Sequence, residues 1–268
     1  MNTIVFLGGG RIAAALVAGL HGAHSKRRRG ERIVVHDRNP RKLRMLVRRY
    51  GVGAEASLAR AMRQAGLLLV AVRPRDVLPL LASMGQPPAG AVCVSLAAGI
   101  TLRALRGASG RRAAWTRAMP SPACRYGRGL TALAFDRGVP RAARKRVRSL
   151  FARVGDVIEI AEREFDAFTV AYSTSQGCHA LAARIRAARR LGLSERTALV
   201  AAAHGLAEGV RAVAENPAAL AALLAEAATP GGIAAEVMRV MRAGGYERLV
   251  ERAFRAGVLR ARHAVGVS

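Results

Sequence analysis

A run of three glycines directly after the first apolar segment constrains the fold of this chain more than any other feature. Residues 3–7 have the composition of a β-strand, and Gly8-Gly9-Gly10-Arg11-Ile12-Ala13 follows as a G-x-G-x-x-A pattern that opens a helical pattern. Strand, glycine turn and helix in this order are typical of the first βα unit of a dinucleotide-binding domain. The alternative interpretation is a glycine turn without a ligand.

Each position of the glycine turn has a role in the first interpretation. Gly8 permits the tight turn, Gly10 lets the backbone approach a pyrophosphate, and Ala13 lets the helix lie close to the sheet. The helix start at Arg11 and Ile12 presents free N–H groups and a partial positive charge to the pyrophosphate. We therefore predict dinucleotide binding at this turn.

The residues after the predicted second strand are expected to select the cofactor. Asp37 lies where an acidic residue would accept hydrogen bonds from the adenosine ribose hydroxyls, which favours NAD. Arg38, next to it, is placed to bind a 2′-phosphate, which favours NADP, although a solvated loop charge is the alternative. We predict NADPH as the favoured cofactor and keep NADH open.

Strand and helix patterns alternate over residues 1–161. Residues 66–72 form a continuous apolar run, which is typical of a strand buried on both faces. Alternation of this kind predicts an α/β fold with a mainly parallel sheet, here an N-terminal Rossmann domain. The predicted strands are residues 3–7, 33–36, 66–72, 91–96, 113–116, 130–135 and 157–160, and the predicted helices include residues 11–20, 40–50 and 140–153.

Strand patterns stop after residue 161, and Ala-rich helical patterns follow. We predict an all-helical domain over residues 162–268. Because this domain carries few large apolar side chains, it is hard to stabilise alone and should bury its Ala-lined faces against a second copy. The sequence therefore predicts a homo-oligomer, a dimer or higher.

The net charge of +27 raises the question of nucleic-acid binding. Only three of the 44 basic residues are Lys, the arginines are spread along the whole chain, and aromatic residues make up 4%. A distributed charge with few stacking side chains disfavours a nucleic-acid partner. The basic residues 26–29 are interpreted as a solvated loop.

Cysteine spacing and hydropathy give two further expectations. Cys93, Cys124 and Cys178 are far apart and show no metal-ligand spacing, so we predict no metal site. The chain opens without a signal-peptide pattern and contains no apolar run long enough for a membrane span, which favours a cytoplasmic protein without a membrane partner.

Five segments in order carry a resemblance to a known family. Residues 6–13 (FLGGGRIA) resemble FIGGGNMA, residues 71–75 (AVRPR) resemble AVKPQ, and residues 95–100 (SLAAGI) resemble SIAAGI. Residues 117–122 (RAMPSP) resemble a shortened RVMPNTP, and residues 229–232 (TPGG) resemble SPGG. All five are motifs of pyrroline-5-carboxylate reductases, and together they resemble that family over nearly the whole chain.

The resemblance implies the reduction of a cyclic imine by NAD(P)H, most simply 1-pyrroline-5-carboxylate to L-proline in proline biosynthesis. It implies a homodimeric helical domain whose helix start at Thr229 comes from the partner subunit, and it assigns substrate positioning to Ser173, Ser175 and Thr229. The further cofactor residues that it implies are Ala71, Val72, Arg73, Pro74, Ala97, Ala98 and Gly99. The implied substrate-binding residues are Met119, Pro120, Ser121, Gly231, Gly232 and Ile233.

The substrate motifs depart from the family pattern more than the cofactor motifs do. Residues 172–179 (YSTSQGCH) replace SGSGPAY, and Ala234 stands where SPGGTT ends in a Thr. Two alternatives follow: a paralogue that reduces another cyclic imine or a keto acid, and a non-catalytic dinucleotide-binding protein. His179, His204 and Tyr172 are candidate proton donors, each with an ordinary helix-surface or core position as the alternative.

Overall fold

The structure is a computed structural model that describes residues 3–22, 30–110, 113–215, 219–227 and 229–263. The described parts of Met1–Tyr172 and Gly257–Ser268 form one compact unit, and those of Ser173–Ala256 form a second. The predicted domain boundary at residues 161/162 lies close to the first of these divisions and stays a prediction.

The first unit is built around one eight-stranded sheet within the described residues. Its strands, in chain order, are β1 (Thr3–Leu7), β2 (Arg32–His36), β3 (Gly53–Ala54), β4 (Leu67–Val70), β5 (Val92–Ser95), β6 (Trp115–Pro120), β7 (Gly129–Phe135) and β8 (Gly155–Glu159). Their order across the sheet is β3-β2-β1-β4-β5-β6-β7-β8. This confirms the predicted α/β class with an N-terminal Rossmann-type sheet.

The sheet is parallel except between β6 and β7, which pair antiparallel. A parallel crossover needs a connection of about a dozen residues or more. The connection from Pro120 to Gly129 is shorter and holds only a 3₁₀ turn, Pro122–Tyr126. The chain therefore reverses there, where simple alternation of strand and helix predicts another parallel strand.

Helices cover both faces of the sheet, and β4 shows why. Leu67 and Leu69 pack into one apolar layer and Leu68 and Val70 into the other, with at most 1% of each residue exposed. This confirms the predicted strand buried on both faces. The helices of this unit are α1 (Arg11–His21), α2 (Pro40–Tyr50), α3 (Leu58–Gln64), α4 (Pro74–Met84), α5 (Leu102–Ser109), α6 (Arg141–Phe151) and α7 (Phe165–Ala171).

Three short elements of this unit have no counterpart among the predicted ones: β3, α3 and α5. Helix α3 buries only Ala61 and Met62, and α5 buries only Leu102, Leu105 and Ser109. Such short helices, in which exposed Arg side chains lie next to the few buried positions, give a weak periodic signal. Their N-caps are more informative, since Ser57 and Thr101 each accept a hydrogen bond from a backbone N–H of the first turn.

The second unit is helical throughout its described residues, and no strand follows Glu159 in the described part of the chain, as predicted. Its described side chains include only two buried ones, Ala198 and Ala202. Ile233 and Val240, by contrast, are 88% and 55% exposed. Its helices are α8 (Thr174–Arg190), α9 (Glu195–Glu215), α10 (Ala219–Ala227), α11 (Ile233–Ala243) and the first part of α12 (Tyr246–His263).

None of the helices described has the length and apolar character needed to cross a membrane.

Candidate functional site

The glycine turn after β1 is confined on two sides by neighbouring strands. The Gly8 N–H donates to the carbonyl of His36 at 2.7 Å, and Gly8 has a φ of +108°. A Cβ built on Gly8 would lie 2.8 Å from the carbonyl oxygen of Ala71, which follows β4. Only glycine satisfies both the backbone angle and the close approach.

Gly10 differs from Gly8, because no protein atom crowds it. It has an ordinary φ of −73° and precedes the first residue of α1. A Cβ built there would meet only the Ala71 oxygen, at 3.8 Å. Among the described residues no side chain caps the first turn of α1, so the N–H groups at Arg11 and Ile12 are available to an anion. The cradle therefore fits the phosphates of a dinucleotide.

Ala13 and Asp37 fix this cradle from within the protein. Ala13 is fully buried and lets α1 approach the sheet. The Asp37 carboxylate accepts hydrogen bonds from Gly9 N at 2.7 Å, from Asn39 N at 2.8 Å and from Lys42 Nζ at 3.1 Å. In the structure the Asp37 carboxylate holds the glycine turn against α2, and its predicted contact with the ribose stays a prediction.

The environment of Asp37 favours its charged form. Burial raises the pKa of this carboxyl, but the hydrogen bonds from Asn39 and Gly9 and the Lys42 ammonium outweigh burial, and the net pKa is lowered. Arg38, beside it, is exposed, and its guanidinium has no partner in the part of the chain that the structure describes. Arg38 is therefore the group at this strand end that is free for a ligand.

The loops after β4 and β5 lie at the same edge of the sheet as the glycine turn, because β1, β4 and β5 are parallel neighbours. Ala71 N donates to the Leu7 carbonyl at 2.8 Å, which ties the loop after β4 to the strand before the turn. The predicted cofactor residues of these loops differ in exposure: Ala71 and Ala97 are buried, Val72, Pro74, Ala98 and Gly99 half-buried, and Arg73 exposed.

The predicted substrate residues of the first unit lie where β6 ends. Because β6 runs parallel to β5, its end lies at this same edge of the sheet. Met119 is half-buried, and Pro120 and Ser121 are buried. The Ser121 hydroxyl has no hydrogen-bond partner among the described residues. A buried hydroxyl without a partner is costly, so a ligand that binds it would relieve that cost.

The remaining predicted substrate residues lie in the second unit. Ser173 directly precedes α8 without a side-chain capping bond to the described residues, and its Oγ lies 2.6 Å from Ser175 Oγ. Thr229 Oγ1 donates to the Glu226 carbonyl at 3.1 Å, and Gly232 N donates to the Thr229 carbonyl at 2.9 Å.

This turn leads into α11, whose first residue is Ile233. Gly231 has a φ of +76°, which favours glycine at this position. Gly232 precedes α11, and no side chain in the described part of the chain caps the helix start. The predicted carboxylate-binding turn therefore has the backbone form of an anion site.

The candidate proton donors occupy ordinary positions. Tyr172 Oη accepts a hydrogen bond from Leu130 N at 2.7 Å and so supports the start of β7. His179 is exposed on α8, and His204 Nδ1 lies 3.4 Å from Glu208 Oε1 on the exposed surface of α9. The structure gives none of them a special environment.

Comparison with known proteins identifies the family. Residues 162–264 match the family model described as pyrroline-5-carboxylate reductase dimerisation, and residues 3–99 match the one described as NADP oxidoreductase, coenzyme F420-dependent. The chain is 30% identical over 226 residues to the pyrroline-5-carboxylate reductase of Corynebacterium melassecola, covering 81% of this chain and 83% of that protein. The chain belongs to the pyrroline-5-carboxylate reductase family.

Other members of the pyrroline-5-carboxylate reductase family agree with this assignment. The protein of Mycobacterium tuberculosis is 35% identical over 176 residues, covering 63% of this chain and 58% of that protein. The Plasmodium falciparum pyrroline carboxylate reductase structure with NADP bound has a TM-score of 0.87 at 18% identity, covering 98% of this chain and 97% of that chain. The Coxiella burnetii structure has a TM-score of 0.82 at 24% identity and covers 98% of each chain. The structural matches establish the fold, and the dimerisation match indicates a homo-oligomer.

Sequence reasoning missed the use of Lys42 and Gly9 as partners of Asp37. The signal is present, since Lys42 lies five residues after Asp37 and within the first turn of a helix that begins at Pro40. The Gly9 partner, 28 residues away along the chain, becomes visible only once β1 and β2 are paired.

Proposed function

We propose that this chain reduces 1-pyrroline-5-carboxylate to L-proline with a nicotinamide dinucleotide. The observation that carries the proposal is that the likeness to the Corynebacterium melassecola pyrroline-5-carboxylate reductase extends over 226 residues and 83% of that protein. A cofactor domain alone would support only the broader class of nicotinamide-dependent oxidoreductases.

The chemistry needs positioning more than an acid–base pair. The nicotinamide supplies a hydride to the carbon of the C=N bond when the cofactor is bound. The residues of this chain then have to hold the imine carbon and the nicotinamide together. We assign the pyrophosphate to Gly8, Gly10 and the start of α1, and the substrate carboxylate to the uncapped turn at residues 229–233.

The hydroxyl groups are assigned to the substrate. Ser121 offers a buried hydroxyl without a partner among the described residues, and Ser173, Ser175 and Thr229 offer exposed or half-buried ones. The imine is more readily reduced when its nitrogen is protonated, and these hydroxyls orient it. Catalysis by orientation of this kind agrees with the ordinary surroundings of His179 and His204.

The direct test is an assay of the purified full-length protein with pyrroline-5-carboxylate and NADPH. Turnover supports the proposal. Turnover only with other cyclic imines or keto acids, and not with pyrroline-5-carboxylate, would mean that the altered substrate segments have changed the substrate. Tight NADPH binding without any turnover would mean a non-catalytic dinucleotide-binding protein.

We propose NADPH as the preferred cofactor, because Asp37 is engaged by Gly9, Asn39 and Lys42 while Arg38 is free. Loss of a charge-assisted contact to a 2′-phosphate is expected to weaken NADPH binding about tenfold or more in Arg38→Ala, with little change for NADH. Arg48→Ala, at an exposed residue near the end of α2, the helix that follows Arg38, is the matched control. Equal losses for both cofactors would reject the assignment of Arg38.

A further inference from the structure

Arg117 is a buried charged residue to which the proposed function gives no role. It lies on β6 opposite Ser95 of β5, and its side chain is only 1% exposed. Its guanidinium carbon lies 4.1 Å from the centre of the Phe165 ring. A buried guanidinium is costly unless it is paired and hydrogen-bonded, so its partners indicate what it does.

The partners of Arg117 are two carboxylates in the segment after β8. Nη2 of Arg117 donates to Asp166 Oδ1 at 2.9 Å, and Nη1 lies 3.6 Å from Glu162 Oε1. The Asp166 side chain is 14% exposed and that of Glu162 is 37% exposed. One guanidinium therefore holds both acidic groups in place.

Glu162 connects this cluster to the predicted cofactor loop, residues 96–101. Its Oε1 accepts a hydrogen bond from Leu102 N at 2.5 Å, and Leu102 is the first residue of α5, directly after the loop. Thr101 Oγ1 accepts from Ala104 N at 3.1 Å in the same turn. A carboxylate at a helix N-terminus is favoured both by charge and by the hydrogen bond, so Glu162 fixes the point at which the loop ends.

Asp166 is linked to the same loop indirectly, through the end of α12. Its Oδ2 lies 3.5 Å from Nε of Arg262, near the end of α12. The neighbouring residue, Ala261, packs directly on Gly99, because a Cβ built on Gly99 would lie 2.0 Å from the Ala261 oxygen. The residues that link Glu162 to Leu102 and Asp166 to Gly99 all belong to one compact unit. The cluster therefore contacts the end of the loop directly, at Leu102 N, and is linked to Gly99 through Arg262 and Ala261.

We propose that Glu162, oriented by Arg117, is a positioning residue that fixes the loop 96–101, which carries the predicted cofactor residues Ala97, Ala98 and Gly99. The inference rests on the proposed function only in assigning this loop to the cofactor. Glu162 acts through its hydrogen bond from the backbone N–H of Leu102. This contact lies where the loop ends and α5 begins.

The test measures the Kd for NADPH by fluorescence titration of the full-length protein, with no turnover required. Glu162→Ala is expected to weaken NADPH binding about tenfold, and Glu162→Gln at most about threefold, since its amide oxygen still accepts from Leu102 N. Glu159→Ala is the matched control, because Glu159 is 39% exposed and pairs with Arg148 away from the loop. Its Kd should equal that of the wild type.

The steady-state constants distinguish positioning from general destabilisation. Glu162→Ala should raise the KM for NADPH in parallel with the Kd and leave kcat at saturating NADPH within about twofold of the wild type. An unchanged Kd in Glu162→Ala, an equal loss in Glu162→Gln, or the same loss in Glu159→Ala would overturn the inference.

A double variant tests the link to Arg117. Arg117→Met keeps an unbranched side chain that can pack on Phe165 but removes the charge. Arg117 acts on Leu102 through Glu162, so in the Glu162→Ala background Arg117→Met removes only its contact with Asp166. The loss of NADPH affinity in Arg117→Met/Glu162→Ala should therefore be smaller than the product of the two single-variant losses. If the loss of NADPH affinity in the double variant equals the product of the two single-variant losses, Arg117 does not act through Glu162.

The outcomes also separate this inference from the proposed function. Wild-type protein that binds NADPH but does not reduce pyrroline-5-carboxylate would overturn the proposed function and leave the Kd comparison valid. Wild-type protein that binds no nicotinamide dinucleotide would overturn both.

Discussion

At the residue scale, the two glycines at the ends of the G-x-G pattern have different functions. Gly8 is required by the protein itself, since its backbone angle and the Ala71 oxygen exclude a side chain. Gly10 has an ordinary backbone angle and open space where a Cβ would stand. The structure thus separates a glycine that the fold requires from one that the fold does not require, and the ligand contact of Gly10 stays a prediction.

This difference gives a prediction for a pair of variants. Gly10→Val should abolish dinucleotide binding while its melting temperature stays close to that of the wild type, because the new side chain meets the ligand and not the protein. Gly8→Ala should weaken dinucleotide binding and also lower the unfolding free energy by roughly 1–3 kcal/mol through backbone strain and clash. Its melting temperature should therefore fall. Thermal unfolding and NADPH titration measure both. Unchanged NADPH affinity in Gly10→Val would refute the role of Gly10.

Asp37 gives a prediction for pH dependence. Its pKa is lowered in the folded protein, so its charged form contributes stability above the pKa of the unfolded chain, and this contribution is lost as the pH falls through the folded-state pKa. The difference in unfolding free energy between wild type and Asp37→Asn should therefore be largest near neutral pH and shrink below about pH 4. Urea unfolding at several pH values measures it.

A surface carboxylate provides the control for Asp37. Asp156 is exposed on β8, so Asp156→Asn should change the unfolding free energy little at any pH. A difference for Asp37→Asn that stays constant into acid would contradict the role assigned to its charge.

Thr229 gives a prediction about the substrate. Thr229→Val removes a hydroxyl from the proposed carboxylate turn and nothing from the dinucleotide cradle, so the KM for pyrroline-5-carboxylate should rise about tenfold while the Kd for NADPH stays the same. Steady-state kinetics and cofactor titration measure the two constants. A parallel loss of NADPH affinity would place Thr229 elsewhere.

At the element scale, the central strand β4 contributes side chains to both apolar layers of the first unit. Leu69 is fully buried, and its truncation leaves a cavity in the apolar layer next to α1. Leu69→Ala should lower the unfolding free energy by about 2–5 kcal/mol. Met45→Ala, at a residue that is 43% exposed on α2, should change it by less than about 0.5 kcal/mol. Equal effects in urea unfolding would mean that β4 is not the centre of the core.

The elements also show which parts of the fold can be predicted from the sequence. The glycine turn, the buried run at residues 66–72 and the helical second part each depend on contiguous residues, and each is present as predicted. The reversal at β7 depends on the short connection between β6 and β7. This length is visible in the sequence, but the alternation of strands and helices around it predicts a parallel strand instead. The engagement of Asp37 by Gly9 depends on strand pairing, so local patterns contain no trace of it.

At the scale of the whole molecule, the described side chains of the helical unit form almost no core of their own. Leu249 and Val240, for example, are more than half exposed. Apolar surface of this kind is normally covered by a partner, which agrees with the match of residues 162–264 to the dimerisation model. We predict at least a dimer in sedimentation velocity, with a melting temperature that rises with protein concentration.

A charged substitution on α11 tests the source of this association. Val240→Asp should shift the protein toward smaller species, because a carboxylate would be buried without a partner in the interface. Val47→Asp, the same change at a residue 38% exposed on α2, should leave the assembly intact. A wild-type protein that is strictly monomeric and fully active would reject the assembly.

The path of α12 has a consequence for the synthesis of the protein. This helix begins in the second unit and ends in the first, where Ala261 covers Gly99. The ribosome releases the chain in order, so the first unit waits for residues that are made only after the whole helical segment. At about 5–20 residues per second the delay is on the order of ten seconds. During that time the loop at Gly99 lacks its contact with Ala261, so the first unit cannot be completed before residue 261 has been made.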